Sequence, residues 1–145
     1  MNHYPTLICE LMNKFYNLGW CSGTGGGISI YDKENETIYM APSAVQKESL
    51  EPSDIFELNR NGSIKTPIEG LQLSECAPLF HTLYDMRNAG AVLHSHALEC
   101  VLVGRKFEGA RASKICRAAK ETARSVLGSS PGIFCVASPQ NSSIS

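Results

Sequence analysis

The first part of the chain has apolar residues at helical spacing. Pro5 suits the first turn of a helix, and Gly19 suits the residue that follows its last turn. Between them the apolar residues recur every three or four positions: Ile8, Leu11, Met12, Phe15 and Leu18. Such spacing puts them on one face of a helix. The pattern predicts an amphipathic first helix that packs against a core.

Short apolar runs bounded by polar turns follow this helix. Residues 28–31 and 37–41 flank a polar turn and predict a β-hairpin. Residues 55–58 predict a further strand, which a turn containing Asn61-Gly62 ends. Hairpins placed between helices are typical of a layered α/β domain.

A second helix and one more strand come next. Ser74 can cap a helix that continues to Gly90, and the apolar run at residues 91–93 then predicts a strand. Residues 110–127 are rich in Ala, Arg and Lys, so they allow another helix, although few apolar residues would give it a buried face.

Composition restricts the class of protein. With 145 residues, 43% of them hydrophobic, the chain can form one compact domain. It has neither a signal pattern nor an apolar run of about 18 residues, so we expect a cytoplasmic protein with no membrane partner. The cysteines have no CxxC spacing, which favours reduced thiols; they are Cys9, Cys21, Cys76, Cys100, Cys116 and Cys135.

The charge changes sign along the chain. Residues 1–101 carry 6 Lys+Arg against 12 Asp+Glu, whereas residues 102–145 carry 7 against 2. The second segment is also Ser-rich and lacks apolar periodicity, so we expect a poorly ordered basic tail after a domain at residues 1–101. Because the tail has few aromatic residues and no recognised module, we expect no nucleic-acid partner.

Two histidines stand two residues apart at the end of the last predicted strand. Alternate residues of a strand share a face, so His94 and His96 would project together with Cα atoms roughly 6.5 Å apart. Neutral imidazole is a common zinc ligand, and a catalytic zinc usually takes three protein ligands. Taken alone, such a pair is more often two polar residues where a sheet meets solvent.

Two further segments suit an anion. Thr24, Gly25 and Gly26 belong to a glycine-rich run whose backbone N–H groups can approach a phosphate, although such a run taken alone is more often a turn that lets the helix and the hairpin pack closely. Ser43 offers a hydroxyl near the ammonium of Lys47, a pairing suited to phosphate, although such a lysine is more often solvated.

Cys76 lies near the start of the second predicted helix. The helix dipole there favours a thiolate or a bound anion. A small buried core residue is an equally good interpretation of this position.

Four motifs in order identify a resemblance that covers about residues 4–101. They are Gly-Trp-Cys-Ser-Gly-Thr-Gly-Gly-Gly-Ile-Ser (19–29), Ala-Pro-Ser-Ala-Val-Gln-Lys-Glu (41–48), Cys-Ala-Pro-Leu-Phe (76–80) and Gly-Ala-Val-Leu-His-Ser-His (90–96). They resemble the methylthioribulose-1-phosphate dehydratases of methionine salvage, a family of the class II aldolase/adducin superfamily. The resemblance implies an α/β/α layered domain with a mainly antiparallel central sheet, incomplete at its C-terminus.

The resemblance also implies an activity and a site. It implies a homotetrameric, zinc-dependent hydro-lyase that converts 5-methylthioribulose 1-phosphate to 2,3-diketo-5-methylthiopentyl 1-phosphate. His94 and His96 would be zinc ligands and Cys76 would contact this sugar phosphate. The phosphate itself would bind the glycine-rich run, including Thr24, Gly25 and Gly26, together with Ser43.

The resemblance ends before two family features. A third zinc-binding histidine and a catalytic glutamate follow later in family members, and no residue after His96 matches either of them, so no catalytic residue is assigned. Two alternatives therefore stay open. One is a noncatalytic interaction protein, adducin-like or a truncated subunit, and the other is a sugar-phosphate aldolase or epimerase.

Overall fold

A computed structural model describes residues 3–98 and, as backbone only, residues 133–137. Two short 3-10 turns, Lys47–Ser49 and Pro52–Asp54, accompany two helices and five strands. The helices are α1 (Tyr4–Asn17) and α2 (Ala77–Arg87), and the strands are β1 (Gly27–Asp32), β2 (Thr37–Met40), β3 (Phe56–Asn59), β4 (Ala91–Ser95) and β5 (Ile133–Ala137).

The five strands form one antiparallel sheet in the order β3-β2-β1-β4-β5. The hairpin of β1 and β2 pairs Ile30 with Tyr39. On the other side of β1, Gly27 pairs with His94 of β4. This register brings the glycine-rich run that precedes β1 to the end of β4.

Each face of the sheet packs against one helix. Ile8 and Met12 of α1 are fully buried in one cluster with Ile28, Ile30 and Tyr39. Residues that alternate with these point to the opposite face, as strand geometry requires. They pack against α2 in a second cluster that includes Ile38, Met40, Phe56, Leu58, Phe80, Tyr84 and Val92. The described residues therefore have the α/β/α layering that was predicted.

The predicted elements match the structure, with differences at the ends of α2. The helix begins after Cys76, which is its N-cap residue, so the prediction that Ser74 caps it is wrong; the Ser74 hydroxyl instead accepts the N–H of Cys76 at 3.2 Å, just before the helix. It ends at Asn88, which has a φ of 50°, rather than at Gly90. Asparagine is among the few residues besides glycine that enter the left-handed region readily.

The segment after residue 101 differs from the prediction over five residues. We expected a poorly ordered tail, but Ile133–Ala137 pairs with β4 along its whole length, with Phe134 opposite His94. The sequence did not predict this strand, because the short apolar run lies in a Ser-rich segment. The boundary at residue 101 stays a prediction, and the predicted helix at 110–127 lies outside the described residues. No helix in the described part of the chain is long and apolar enough to span a membrane.

One buried hydrogen bond joins α2 to the centre of the sheet. Ser29 of β1 and Tyr84 share it between their hydroxyls at 2.6 Å, and both side chains are almost fully buried. Burial raises the pKa of Tyr84, which keeps the phenol protonated. Tyr84→Phe would leave the Ser29 hydroxyl buried without this partner, so we expect a loss of about 1–3 kcal/mol of unfolding free energy in urea titrations.

The double variant Ser29→Ala/Tyr84→Phe is the control for this interaction. Because it removes both hydroxyls, its loss should be smaller than the sum of the two single losses. Strict additivity of the two single variants would show that the bond contributes nothing to the packing of α2.

Candidate functional site

The end of β4 brings two imidazole rings together. The ring centroids of His94 and His96 lie 4.7 Å apart, with 38° between the ring planes. The backbone around them is tied to the beginning of the connection between α1 and β1, because the N–H of His96 and the hydroxyl of Ser95 both donate to the carbonyl oxygen of Trp20, at 2.9 and 3.1 Å. The pair is therefore held by hydrogen bonds that the sequence did not reveal.

His94 also contacts the first residue before α2. Its Nδ1 lies 3.2 Å from Sγ of Cys76, in a buried contact whose donor depends on the tautomer. Burial, with a smaller effect of His96, lowers the pKa of His94 to about 4, so the ring is neutral at physiological pH. Because Cys76 engages Nδ1, a metal would bind His94 through Nε2, and the contact would orient the ring as outer-shell partners of ligands do.

Cys76 is a buried core residue that also contacts His94. The side chain is buried in the core cluster beneath α2. Burial raises the pKa of its thiol, although a hydrogen bond with Ser74 opposes this effect. The protonated form therefore predominates, and the thiol meets the site through His94 rather than as a free thiolate.

The glycine-rich run wraps closely around the histidine pair. A Cβ atom at Gly25 would lie 3.1 Å from the carbonyl oxygen of Ser22 and 3.5 Å from Nε2 of His96. Gly26 has a φ of +81°, and a Cβ atom there would overlap Sγ of Cys21. The close-packing interpretation of these glycines is therefore compatible with a ligand site, because the packing is against the histidines themselves.

Thr24 and Ser43 are the two hydroxyl residues that the sequence predicts for the phosphate. Thr24 is exposed and Ser43 is half-buried, and neither side chain makes a hydrogen bond to another residue in the described part of the chain. The backbone of Ser43 is held in place, because its N–H donates to the carbonyl oxygen of Gln72 at 2.8 Å. Both hydroxyls can therefore turn toward a bound anion.

Lys47 is buried, which corrects the interpretation of a solvated lysine. Its side chain is 1% exposed, and Nζ donates to the carbonyl oxygens of Pro42 and Val45, each at 3.1 Å. Burial lowers the pKa of this ammonium. The sequence did not predict the burial of Lys47, because its partners are backbone carbonyl groups, which every residue has.

A third metal ligand is not found near the pair. Among residues 3–98, no cluster of three His, Cys, Asp or Glu side chains is arranged to hold a metal ion. His81 instead packs beside Gly62 and at the edge of Tyr84, with ring centroids 6.4 Å apart. Two adjacent imidazoles, His94 neutral by burial, are the kind of ligand that occupies two positions of a zinc site.

Comparison with known proteins identifies the family. Residues 6–138 match the model of the Class II Aldolase and Adducin N-terminal domain. The chain belongs to the class II aldolase and adducin family. The resemblance found from the four motifs is thereby confirmed, as is the fold class.

Curated relatives carry a more specific name. The chain is 51% identical over 104 residues to a probable methylthioribulose-1-phosphate dehydratase of Leishmania major, which covers 70% of this chain and 43% of that protein. It is 48% identical over 110 residues to the methylthioribulose-1-phosphate dehydratase of Aquarana catesbeiana, covering 74% and 45%. The chain thus spans less than half the length of these relatives.

Solved structures share the fold. The L-fuculose-1-phosphate aldolase of Thermus thermophilus superposes with a TM-score of 0.66 at 18% identity, covering 95% of this chain and 81% of that one. Another L-fuculose 1-phosphate aldolase gives a TM-score of 0.65 at 20% identity, covering 72% and 49%. At such identities the likeness concerns the architecture alone.

The glycine at position 26 is the most constrained of the loop. Gly26→Ala should cost roughly 1–2 kcal/mol for a left-handed alanine and a further ~1–3 kcal/mol for overlap with Cys21. Gly23→Ala is the matched control, since Gly23 also has a positive φ, +55°, but open space around its Cβ position. Thermal unfolding should rank the native chain above Gly23→Ala, and Gly23→Ala above Gly26→Ala. Equal losses would show that Cys21 does not restrict the loop.

Proposed function

We propose that this chain carries part of the active site of a methylthioribulose-1-phosphate dehydratase. Its substrate would be 5-methylthioribulose 1-phosphate, which loses water to give 2,3-diketo-5-methylthiopentyl 1-phosphate. The names of its curated relatives support this proposal. The observation that carries it is the packing of the His94–His96 pair between the glycine-rich run and Cys76.

The histidine pair is the proposed zinc end of the site. His94 would bind through Nε2 and His96 would supply the second imidazole. Zinc at this position would supply Lewis acidity toward a carbonyl oxygen of the sugar. Cys76 would keep the His94 ring in place through Nδ1, in addition to the substrate contact that the resemblance implies.

The glycine-rich run and Ser43 form the proposed phosphate end. Thr24 and Ser43 have hydroxyls without partners in the described residues, and Gly25 and Gly26 allow the backbone to approach closely. Because the glycine-rich run touches both histidines, the two ends of the site are adjacent. A small sugar phosphate can therefore contact both at once.

A noncatalytic role is the second candidate. The noncatalytic role is favoured because the described residues provide two imidazoles and no third metal ligand. The same observation counts against the dehydratase activity. A chain of this kind would pair with a complete subunit and show no turnover of its own. The cytoplasmic location and the homotetramer expected from the resemblance stay predictions.

The metal end makes a testable prediction. His94→Ala and His96→Ala should each reduce zinc affinity by more than the ~10- to 100-fold expected for the loss of an outer-shell partner, which is the effect we expect for Cys76→Ala. Cys76→Ser keeps a hydrogen-bonding group and should lose less. Competition with a chromophoric chelator measures these affinities.

His81→Ala is the control for these variants. His81 is an imidazole of the same domain that lies beside Gly62 and Tyr84, so zinc affinity should not change. If His94→Ala bound zinc as tightly as the native chain, the proposed metal end would be wrong.

Turnover separates the candidate functions. The protein loaded with zinc should convert 5-methylthioribulose 1-phosphate to the diketone phosphate, a reaction that NMR follows by loss of the sugar signals. Retro-aldol fragments would instead support a sugar-phosphate aldolase. Zinc-bound protein that forms a stable complex with a full-length subunit, without turnover, would support the noncatalytic role.

A further inference from the structure

Lys47 is a buried lysine to which the proposed function assigns no role. The side chain is 1% exposed, and its two hydrogen bonds go to backbone carbonyl oxygens, those of Pro42 and Val45. Within the described residues no carboxylate forms an ion pair with it, and the neighbouring Glu48 acts on it only at longer range. Burying an ammonium costs several kcal/mol unless nearby groups compensate, so a lysine in this position calls for an explanation.

The ammonium holds the turn that presents Ser43. Pro42 and Val45 flank Ser43 and Ala44, and Ala44 has a φ of 56°, which is unusual for an alanine. Lys47 binds the carbonyl groups on both sides of these two residues, while Gln72 binds the N–H of Ser43. The Ser43 backbone is thus fixed from two directions, and its side chain is half-buried.

The charge of Lys47 reaches both sides of the site. It acts on the thiol of Cys21, which packs under Gly26, and on the thiol of Cys76, which contacts His94. No carboxylate of the described residues forms an ion pair with the Lys47 ammonium. The region between the glycine-rich run and α2 therefore has a positive charge that is not paired with an anion of the described residues.

We propose that Lys47 is a positioning residue for the phosphate end of the site, where it fixes the Pro42–Val45 turn and supplies a buried positive charge that favours a phosphate dianion at Ser43. Phosphate need not touch Lys47, because in a region of low dielectric the charge acts over several ångströms. The inference rests on the proposed function for the identity of the anion. It assigns to Lys47 a role that the motif alone did not show.

Inorganic phosphate is the probe that tests this role. Calorimetric titration of the native chain should give a dissociation constant that Lys47→Gln raises roughly 10-fold, because a buried charge that acts at a distance in low dielectric is lost. Lys47→Arg keeps the charge and should recover part of the affinity. Lys65→Gln removes one charge from an exposed lysine and should change phosphate affinity less than about twofold.

Hydrogen exchange measures the positioning separately from the anion. In Lys47→Gln the Ser43 N–H, which donates to Gln72, should exchange faster than in the native chain without phosphate present. Faster exchange in Lys65→Gln as well would indicate general loosening of the fold and would contradict a specific role for Lys47.

A measurement on the unaltered chain covers the case in which Lys47→Gln does not fold. The ¹⁵N signal of the Lys47 ammonium should shift when phosphate is added, and Ser43→Ala should reduce that shift. If the ¹⁵N signal of Lys47 in the native chain does not shift at saturating phosphate, the proposal is wrong.

The outcomes separate this inference from the proposed function. If folded Lys47→Gln binds phosphate as the native chain does while zinc binding and dehydration persist, the role of Lys47 is wrong and the function stands. If the native chain neither binds phosphate nor converts the sugar phosphate, both are wrong.

Discussion

The antiparallel pairing of β1 with β4 is the constraint on which the site depends. It places Gly27 opposite His94, so the glycine-rich run before β1 necessarily reaches the end of β4. The fit is close enough that Gly26 has room for no side chain beside Cys21 and the His94 carbonyl oxygen. A shift of one residue in this register would turn His94 to the other face of the sheet. The core packing on both faces therefore also fixes the geometry of the chemistry.

The electrostatic environment follows from that packing. Burial favours the neutral forms of the His94 ring and of the thiols of Cys21 and Cys76, whereas Lys47 is a buried lysine whose charge acts on the two thiols. Neutral imidazoles suit a metal, and an unpaired ammonium suits an anion. Burial disfavours the charged form of every group, so it favours the neutral imidazole that a metal needs and acts against the Lys47 ammonium, which the carbonyl oxygens of Pro42 and Val45 stabilise.

The sequence predicts what depends on periodicity and misses what depends on tertiary pairing. The helical spacing of apolar residues predicted α1, and the short apolar runs predicted the hairpin. The structure confirms both predictions. The strand Ile133–Ala137 was missed because such a run in Ser-rich surroundings becomes a strand only when an edge, here β4, offers hydrogen bonds. In the site, His94 and His96 were expected to project together, and their rings are adjacent. The sequence predicted Cys76 as a site residue but not its contact with His94, and it did not predict the hydrogen bonds to the Trp20 carbonyl oxygen.

The placement of both imidazoles at the end of one interior strand also bears on the incomplete ligand set. His94 lies on β4, which β1 and β5 pair on both sides, and the N–H of His96 just after it donates to the Trp20 carbonyl oxygen. The backbone of both histidines is therefore held before any metal arrives, and little conformational entropy is lost when they bind it. A third ligand then has only to complete a preformed pair rather than assemble a site from mobile parts. The described residues therefore contain the rigid portion of the proposed zinc site, and the position of its remaining ligands determines how tightly zinc binds.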